Sequence, residues 1–265
     1  MRLCSIASGS SGNCIYVGND NTHLLVDVGI SKKRIEVGLE QLNLNGEMLS
    51  GILITHEHTD HIQGLGAFSR KYKVPIYATR GTLIGICACK SLGKMPDGLL
   101  KEVTADSGIS IGDLEVLPFS ISHDANEPTG FRIHGDEKCV AVATDLGEYD
   151  DYIVEHLKDL DAVVLEANHD VHMLEVGPYP YHLKQRVLGK RGHLSNESTG
   201  RLLCQILHDR LKHVVLGHLS KENNFPELAY ETVKLEVTMG DTPFKGEDIS
   251  LMVAERDKIS KILCV

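Results

Sequence analysis

Apolar residues in this chain come in short runs, and the runs predict its elements. Residues 2–7, 14–18 and 23–28 read as short strands. Helical spacing follows at 31–42, with Ser31 as its N-cap. The order continues with a strand at 51–55, a helix at 61–72, a strand at 75–78 and a helix at 80–91. Residues 109–143 read as all β, with hairpin turns at 112–113 and 135–138. The second half alternates. It runs helix 149–157, strand 162–166, helices 180–189 and 196–208, strand 213–217 and helix 226–238, with strands at 249–253 and 259–264 to close. Strand runs followed by helix runs, given twice, predict two sheets sandwiched between helices.

The ends of the strands carry the chemistry. GILIT runs into His56, EVLPFSIS into His123, CVAVAT into Asp145, DAVVL into Glu166 and HVVLG into His218. Each group can bind a metal or move a proton. Ligands in layered α/β folds sit beyond the carboxyl ends of strands, so neighbouring strands would bring all five to one rim.

Charge narrows the function. The chain has 27 Lys and Arg against 37 Asp and Glu, a net −10. That excludes a protein that coats nucleic acid by bulk charge. It leaves room for a nucleic-acid enzyme, because metal ions and a local basic patch reverse the field where it matters. The first stretch is too short and polar for a signal peptide, and no run of about 18 apolar residues predicts a membrane span. The seven cysteines are odd in number and scattered, which fits free thiols in a reducing cytoplasm. A cytoplasmic protein without membrane contact is expected.

The densest signal is Thr55-His56-Glu57-His58-Thr59-Asp60-His61. In an extended loop His56 and His58 project to one side, while Asp60 and His61 fall where the next helix begins. One ion cannot easily use all four groups, so two adjacent ions are the natural reading. Imidazole with carboxylate suits zinc or manganese, and also iron.

At these residues the chain resembles the metallo-β-lactamase fold superfamily, whose HxHxDH signature stands here as His56, His58, Asp60 and His61. The resemblance implies one α/β domain over 1–265, a four-layer αββα sandwich of two mixed sheets flanked by helices. It implies one ion on His56, His58 and His123 and another on Asp60, His61 and His218, with Asp145 between them. A water or hydroxide bridging the two ions would be the nucleophile. Classical lactamases of the superfamily lack a histidine directly after the aspartate of the motif, so His61 weighs against β-lactam hydrolysis. VVLEANHD and GHLSNES look like the Glu–His pair of transfer-RNA 3′-processing nucleases. Carried over, Glu166 orients His193, which protonates the leaving oxygen. Asp60 would also accept the nucleophile's proton. His169 stays open between lining the site and a structural role.

Several longer stretches, among them SIASGSSGNCIYV, LLVDVGIS, HDANEPTGF and GHLSKENN, resemble the YycJ (WalJ) branch, whose members are regarded as metal-dependent DNA nucleases, some with 5′→3′ exonuclease activity. This implies a dinuclear phosphodiesterase acting on nucleic acid, DNA above RNA. The alternatives are a small-molecule phosphodiesterase, a glyoxalase II-type thioesterase, or a metal-binding module without catalysis. Two stretches are candidate substrate contacts. Ser10 and Ser11 lie in a Gly/Ser loop that could offer backbone N–H groups to a phosphate. Lys184 and Arg186 belong to a basic, tyrosine-containing stretch, and Ser195 follows His193. GHLS occurs twice, at 192–195 and 217–220, and the two histidines are expected to play different parts.

Overall fold

A computed structural model describes residues 1–265. The first sheet contains β1 (Arg2–Ala7), β2 (Cys14–Gly18), β3 (His23–Val26), β4 (Gly51–Leu53), β5 (Ile76–Thr79) and β6 (Leu100–Val103) in that spatial order. The second contains β7 (Ile109–Ile111), β8 (Leu114–Ser120), β9 (Thr129–Gly135), β10 (Lys138–Ala143), β11 (Ala162–Glu166), β12 (His213–Gly217) and β13 (Ser250–Val253). A last short strand, β14 (Leu263–Cys264), pairs with β1 and makes the first sheet seven-stranded as well. Both sheets are mixed: hairpins lead into parallel strands.

Three separate apolar layers hold the sheets and helices together. Leu3, Val17, Leu24, Phe131, Val142 and Val164 belong to the layer between the two sheets. The outer face of the first sheet packs on α1 (Lys32–Gln41), then α2 (Thr59–Ile62), α3 (Leu65–Tyr72) and α4 (Arg80–Ala88) through Ile35, Leu39, Ile62, Phe68 and Ile86. The second sheet packs on α5 (Asp151–Leu157), through Val154, and on two later helices. Its strands β10, β11 and β12 are apolar almost without alternation because both of their faces are covered. The remaining helices are α6 (Val171–Val176), α7 (Tyr181–Leu188), α8 (Asn196–Ile206) and α9 (Pro226–Met239). Of these, α8 and α9 face the second sheet with Leu202, Leu203 and Val233. The expected αββα sandwich of two mixed sheets is what the chain forms. No helix is long and apolar enough to cross a membrane.

Local departures from the expected elements have physical causes. The helix expected over 61–72 breaks at Gly64, where the chain presses so closely on the 28–30 loop that a Cβ would lie 2.1 Å from the Ile30 carbonyl oxygen. The strand expected over 23–28 stops at Val26, because Asp27 turns left-handed at φ 61°. The helix expected over 80–91 ends at Ala88 and continues as a single 3₁₀ turn at Lys90–Leu92. Edge strand β6 and the short α6 carry too little apolar pattern to be anticipated.

Three loops are knitted together beneath the site. Gly29 N–H donates to Asn13 O, Asn13 N–H to Asp60 O, and Val28 N–H to His61 O, each at 2.8–2.9 Å. This lattice fixes the His-rich loop to the ends of β1 and β3. A Cβ on Gly29 would fall 1.6 Å from Asp60 O. Gly29→Ala should therefore cost more than about 2 kcal/mol in a denaturant titration, whereas Gly108→Ala, with open space around its Cβ, should stay within about 0.5 kcal/mol.

Candidate active site and metal centre

Five strands deliver the site residues. His56 lies just beyond β4 and His123 just beyond β8, while Asp145 and His218 follow β10 and β12 and Glu166 is the last residue of β11. His58, Asp60 and His61 come from the loop after β4 and from α2. Three of the residues that close strands here adopt left-handed backbone: Asp27 at φ 61°, Asp145 at φ 60° and His218 at φ 55°. That conformation costs about 1 kcal/mol or more for a residue with a Cβ. It turns each chain sharply at the rim, so the side chain points inward rather than continuing the pleat.

The seven residues expected to hold metal converge. Ring nitrogens of His56, His58 and His123 lie within 4.8 Å of one another, as do ligand atoms of Asp60, His61 and His218. Asp145 stands between the groups, with Oδ2 3.2 Å from His61 Nε2 and Oδ1 3.6 Å from His123 Nε2 and 3.5 Å from His218 Nε2.

Hydrogen bonds decide which nitrogen each ring presents. His61 Nδ1–H donates to Asp27 Oδ2 at 2.7 Å, and His218 Nδ1–H to Glu166 Oε1 at 2.8 Å. His123 Nδ1–H donates to the Gly192 carbonyl at 3.1 Å. His56 Nδ1 lies 3.0 Å from Thr55 Oγ1, whose own proton goes to Asp27. All four rings therefore turn Nε2 inward. His58 instead presents Nδ1, 3.3 Å from His123 Nε2. Such outer hydrogen bonds set the tautomer of metal-binding histidines.

The donors fit divalent ions. His56 Nε2 is buried without any hydrogen-bond partner, and Asp145 Oδ2 is buried with only the 3.2 Å contact to His61 Nε2. Buried polar atoms are rarely left so, and two of them aimed into one carboxylate-rich cluster mark cation positions. Titration points the same way. Burial alone would depress His218, but Asp145, Asp60 and Glu166 outweigh it and raise the ring to about 10. His61 is lifted well above an ordinary imidazole against its burial, by Asp145, Asp27 and Asp60. The cluster carries surplus negative charge that draws cations.

Next to the cluster, His193 Nδ1–H donates to Glu166 Oε1 at 2.8 Å, the same oxygen that His218 uses. Glu166 Oε2 accepts backbone N–H groups from Leu146 at 2.8 Å and Leu194 at 3.1 Å. This carboxylate is fully buried. Burial opposes its charge, but His193 and His218 together hold it well below the usual range. His193 lines a cavity of about 260 Å³ together with His58, Asp60, His123, Asp145 and His218.

The candidate substrate residues divide. Ser10 and Arg186 line this cavity, although Arg186 is paired with Asp124, Nη2 to Oδ1 at 2.9 Å. Ser11 lies beyond the cavity lining, and Lys184 Nζ donates to Glu175 O on the outside. Ser195 Oγ caps α8 by accepting from Ser198 N–H and does not line the cavity. The Gly/Ser loop is no open nest. Gly9 N–H goes to Asn13 Oδ1, Ser10 N–H to Leu219 O and Gly12 N–H to Gly9 O, so most of its donors are already used. His169 is buried and does not line the cavity.

Sequence reasoning missed Asp27, Thr55, Asn168 and Arg256. Asp27 had a visible signal, since it ends the apolar run LLV much as the other carboxylates end theirs. Asn168 Nδ2 donates to His218 O at 2.9 Å and holds that turn.

Residues 23–218 match the beta-lactamase superfamily domain. Over 233 residues the chain is 41% identical to exodeoxyribonuclease YycJ of Bacillus anthracis, covering 88% of each protein. It is 40% identical over 236 residues to exodeoxyribonuclease WalJ of Streptococcus pneumoniae, covering 89% of this chain and 88% of that one. The chain belongs to the YycJ/WalJ branch of the metallo-β-lactamase superfamily. Among solved structures, Zn²⁺-bound PqqB from Methylobacterium extorquens aligns over all of both chains with a TM-score of 0.73 at 17% identity. YhfI from Bacillus subtilis aligns over 98% of each with a TM-score of 0.70 at 15% identity. These two speak to the fold alone, and they agree with the αββα layering of this YycJ/WalJ-branch chain.

Two outcomes follow for metal binding. Asp27→Asn removes the acceptor that fixes His61 and should weaken metal affinity about 10- to 100-fold, measured by competition with a chelating dye. An ion arriving at Nε2 must displace a proton from His61 or His218. Affinity should therefore rise with pH up to about 10, where His218 releases its proton unaided, and fall on acidification. Calorimetry in buffers of different ionisation enthalpy should detect the released protons.

Proposed function

We propose that this protein is a dinuclear metal-dependent phosphodiesterase that cleaves nucleic acid, with DNA as its substrate and 5′→3′ exonucleolytic cleavage as its mode. The observation that carries the reading is the His193–Glu166 pair beside the seven-ligand cluster. With Nδ1–H committed to Glu166 Oε1, His193 offers Nε2 to the cavity, and a phosphodiester needs a proton on its departing oxygen. The 40–41% identity to proteins named exodeoxyribonucleases supports the same reading.

His56, His58 and His123 would hold one ion and Asp60, His61 and His218 the other, with Asp145 between. Zinc or manganese suits this imidazole–carboxylate set, as does iron. The chemistry such ions supply is acidification of a water and neutralisation of the charge that builds at phosphorus. The chain's own contribution is orientation and a proton. Glu166 fixes the His193 ring from behind. Asp60 is 26% exposed at the cavity. Burial opposes its charge, yet His61 and His218 hold its carboxyl far below the usual range, which suits a ligand better than a proton acceptor.

Labelled single- and double-stranded DNA and RNA, offered with zinc or manganese, test the substrate. Hydrolysis of a small aryl diester but of no polynucleotide would overturn the nuclease reading. The two GHLS histidines should separate by metal content: His218→Ala should retain about one ion, because a ligand is lost. His193→Ala should retain both ions and lose about 10²- to 10⁴-fold in DNA cleavage. It should lose far less on bis(p-nitrophenyl) phosphate, whose leaving group departs unprotonated. Metal loss in His193→Ala would show that the role assignment is wrong.

A further inference from the structure

Arg256 is a cation that the metal cluster does not use. It follows β13, and its side chain crosses the loop between β1 and β2. Nη1 donates to Ser10 Oγ at 3.4 Å and Ser11 Oγ at 3.2 Å, and Nη2 to Leu219 O at 2.8 Å. All these acceptors are neutral, and the guanidinium forms no salt bridge. It passes close over Gly9, where a Cβ would fall 2.7 Å from Nη1. Arg34 Nη2 donates to the Arg256 carbonyl at 3.1 Å and pins the backbone.

The guanidinium lines one cavity and reaches a residue, Ser10, that lines another. The latter is the catalytic cavity, which Ser10, His218 and Ser220 help to line. The former, about 160 Å³, is lined by Ser220, Asn224, Phe225, Pro226 and Arg256 among others. Ser220 belongs to both, so the smaller cavity lies beside the catalytic one on the His218 side. Phe225 is 47% exposed there. Glu255, at the same cavity, lies 3.4 Å from Lys258 Nζ. A half-buried guanidinium without a carboxylate partner is costly unless an anion completes it. In a chain of net charge −10 this one stands beside two hydroxyls and an exposed aromatic ring.

We propose that this side cavity, with the adjoining Ser10 edge of the catalytic one, is a nucleotide subsite: Arg256 and the Ser10 hydroxyl hold a phosphate flanking the scissile one, and Phe225 stacks on the attached base. The assignment rests on the phosphodiesterase reading above. Guanidinium–phosphate contact and base–aromatic stacking are both tolerant of sequence, so the subsite would fix register without selecting a base.

Oligonucleotides carrying one uncharged methylphosphonate linkage, scanned across the positions flanking the cleaved bond, test the phosphate contact. With wild-type holoenzyme, one flanking position should lower kcat/KM about tenfold. Arg256→Gln should lose about tenfold on the natural oligonucleotide and nothing further from the neutral linkage, and Arg256→Lys should regain part of the loss. A residue that only braces the Ser10–Ser11 loop would not erase sensitivity to one particular phosphate. Phe225→Ala should raise KM about tenfold for the intact strand but not when the flanking nucleotide is abasic. Lys101→Gln, on exposed β6 far from the cavity in sequence, controls for general loss of charge and should change none of these values. Losses from Arg256→Gln and the neutral linkage that multiply would overturn the subsite while leaving the nuclease reading intact. Failure of wild-type enzyme to cleave any polynucleotide would overturn both.

Discussion

The dry packing of one sheet on the other is the constraint from which everything at the metal cluster follows. Neither half of the chain contains the site. His56, His58, Asp60 and His61 come from the first sheet's side, and His123, Asp145, Glu166 and His218 from the second's. Val26 and Leu53, near the turns that carry the first set, meet Val142, Val164 and Val215 beneath the second. Burying a side chain of this size contributes about 1.5–3 kcal/mol, and a close-packed layer leaves little freedom to slide. The site occupies the open edge of that layer, so the relative position of its two ligand sets is inherited from apolar contacts.

Such a foundation carries an electrostatic load. Asp27, Asp145 and Glu166 are almost fully buried within a few ångströms of one another's partners, and buried carboxylates are tolerated only when paired and hydrogen-bonded. The chain meets this in two ways. Outer bonds from Thr55, Leu146 and Leu194 satisfy the carboxylate oxygens that do not face the cavity. Inward, the carboxylates face imidazole Nε2 atoms, a combination that a divalent cation completes. The left-handed turns at Asp27, Asp145 and His218 are part of the same arrangement, since each turn aims a donor at the rim at some local cost.

Glu166 links two functions that sequence alone would treat separately. Its Oε1 accepts from both His193 and His218, one the proposed proton donor and the other a proposed metal ligand. Charge changes on one ring are therefore felt by the other through a single oxygen. The two GHLS stretches use glycine for close approach in different ways. A Cβ at Gly192 would strike the Val187 carbonyl at 2.1 Å, whereas one at Gly217 would meet the Ser8 hydroxyl at 2.9 Å.

The sequence by itself determined the layer architecture and marked the His/Asp set that the fold brings together, because both depend on local order. Apolar runs report which faces are covered, and the spacing from His56 to His61 brings four ligands together within one turn of chain. It also marked His193 and Glu166, each beside a recognisable apolar or helical boundary. The partners that tune those residues were decided only by tertiary structure. Asp27 reaches His61 across 34 positions, His218 reaches Glu166 across 52, and Arg256 reaches Ser10 across 246. The use of the Gly/Ser loop as a closed turn was equally hidden, since its N–H groups are taken by Asn13 and by Leu219, far along the chain. A hydrogen bond depends on separations of tenths of an ångström between residues distant in sequence. No periodicity encodes that separation, and only the packed sheets set it.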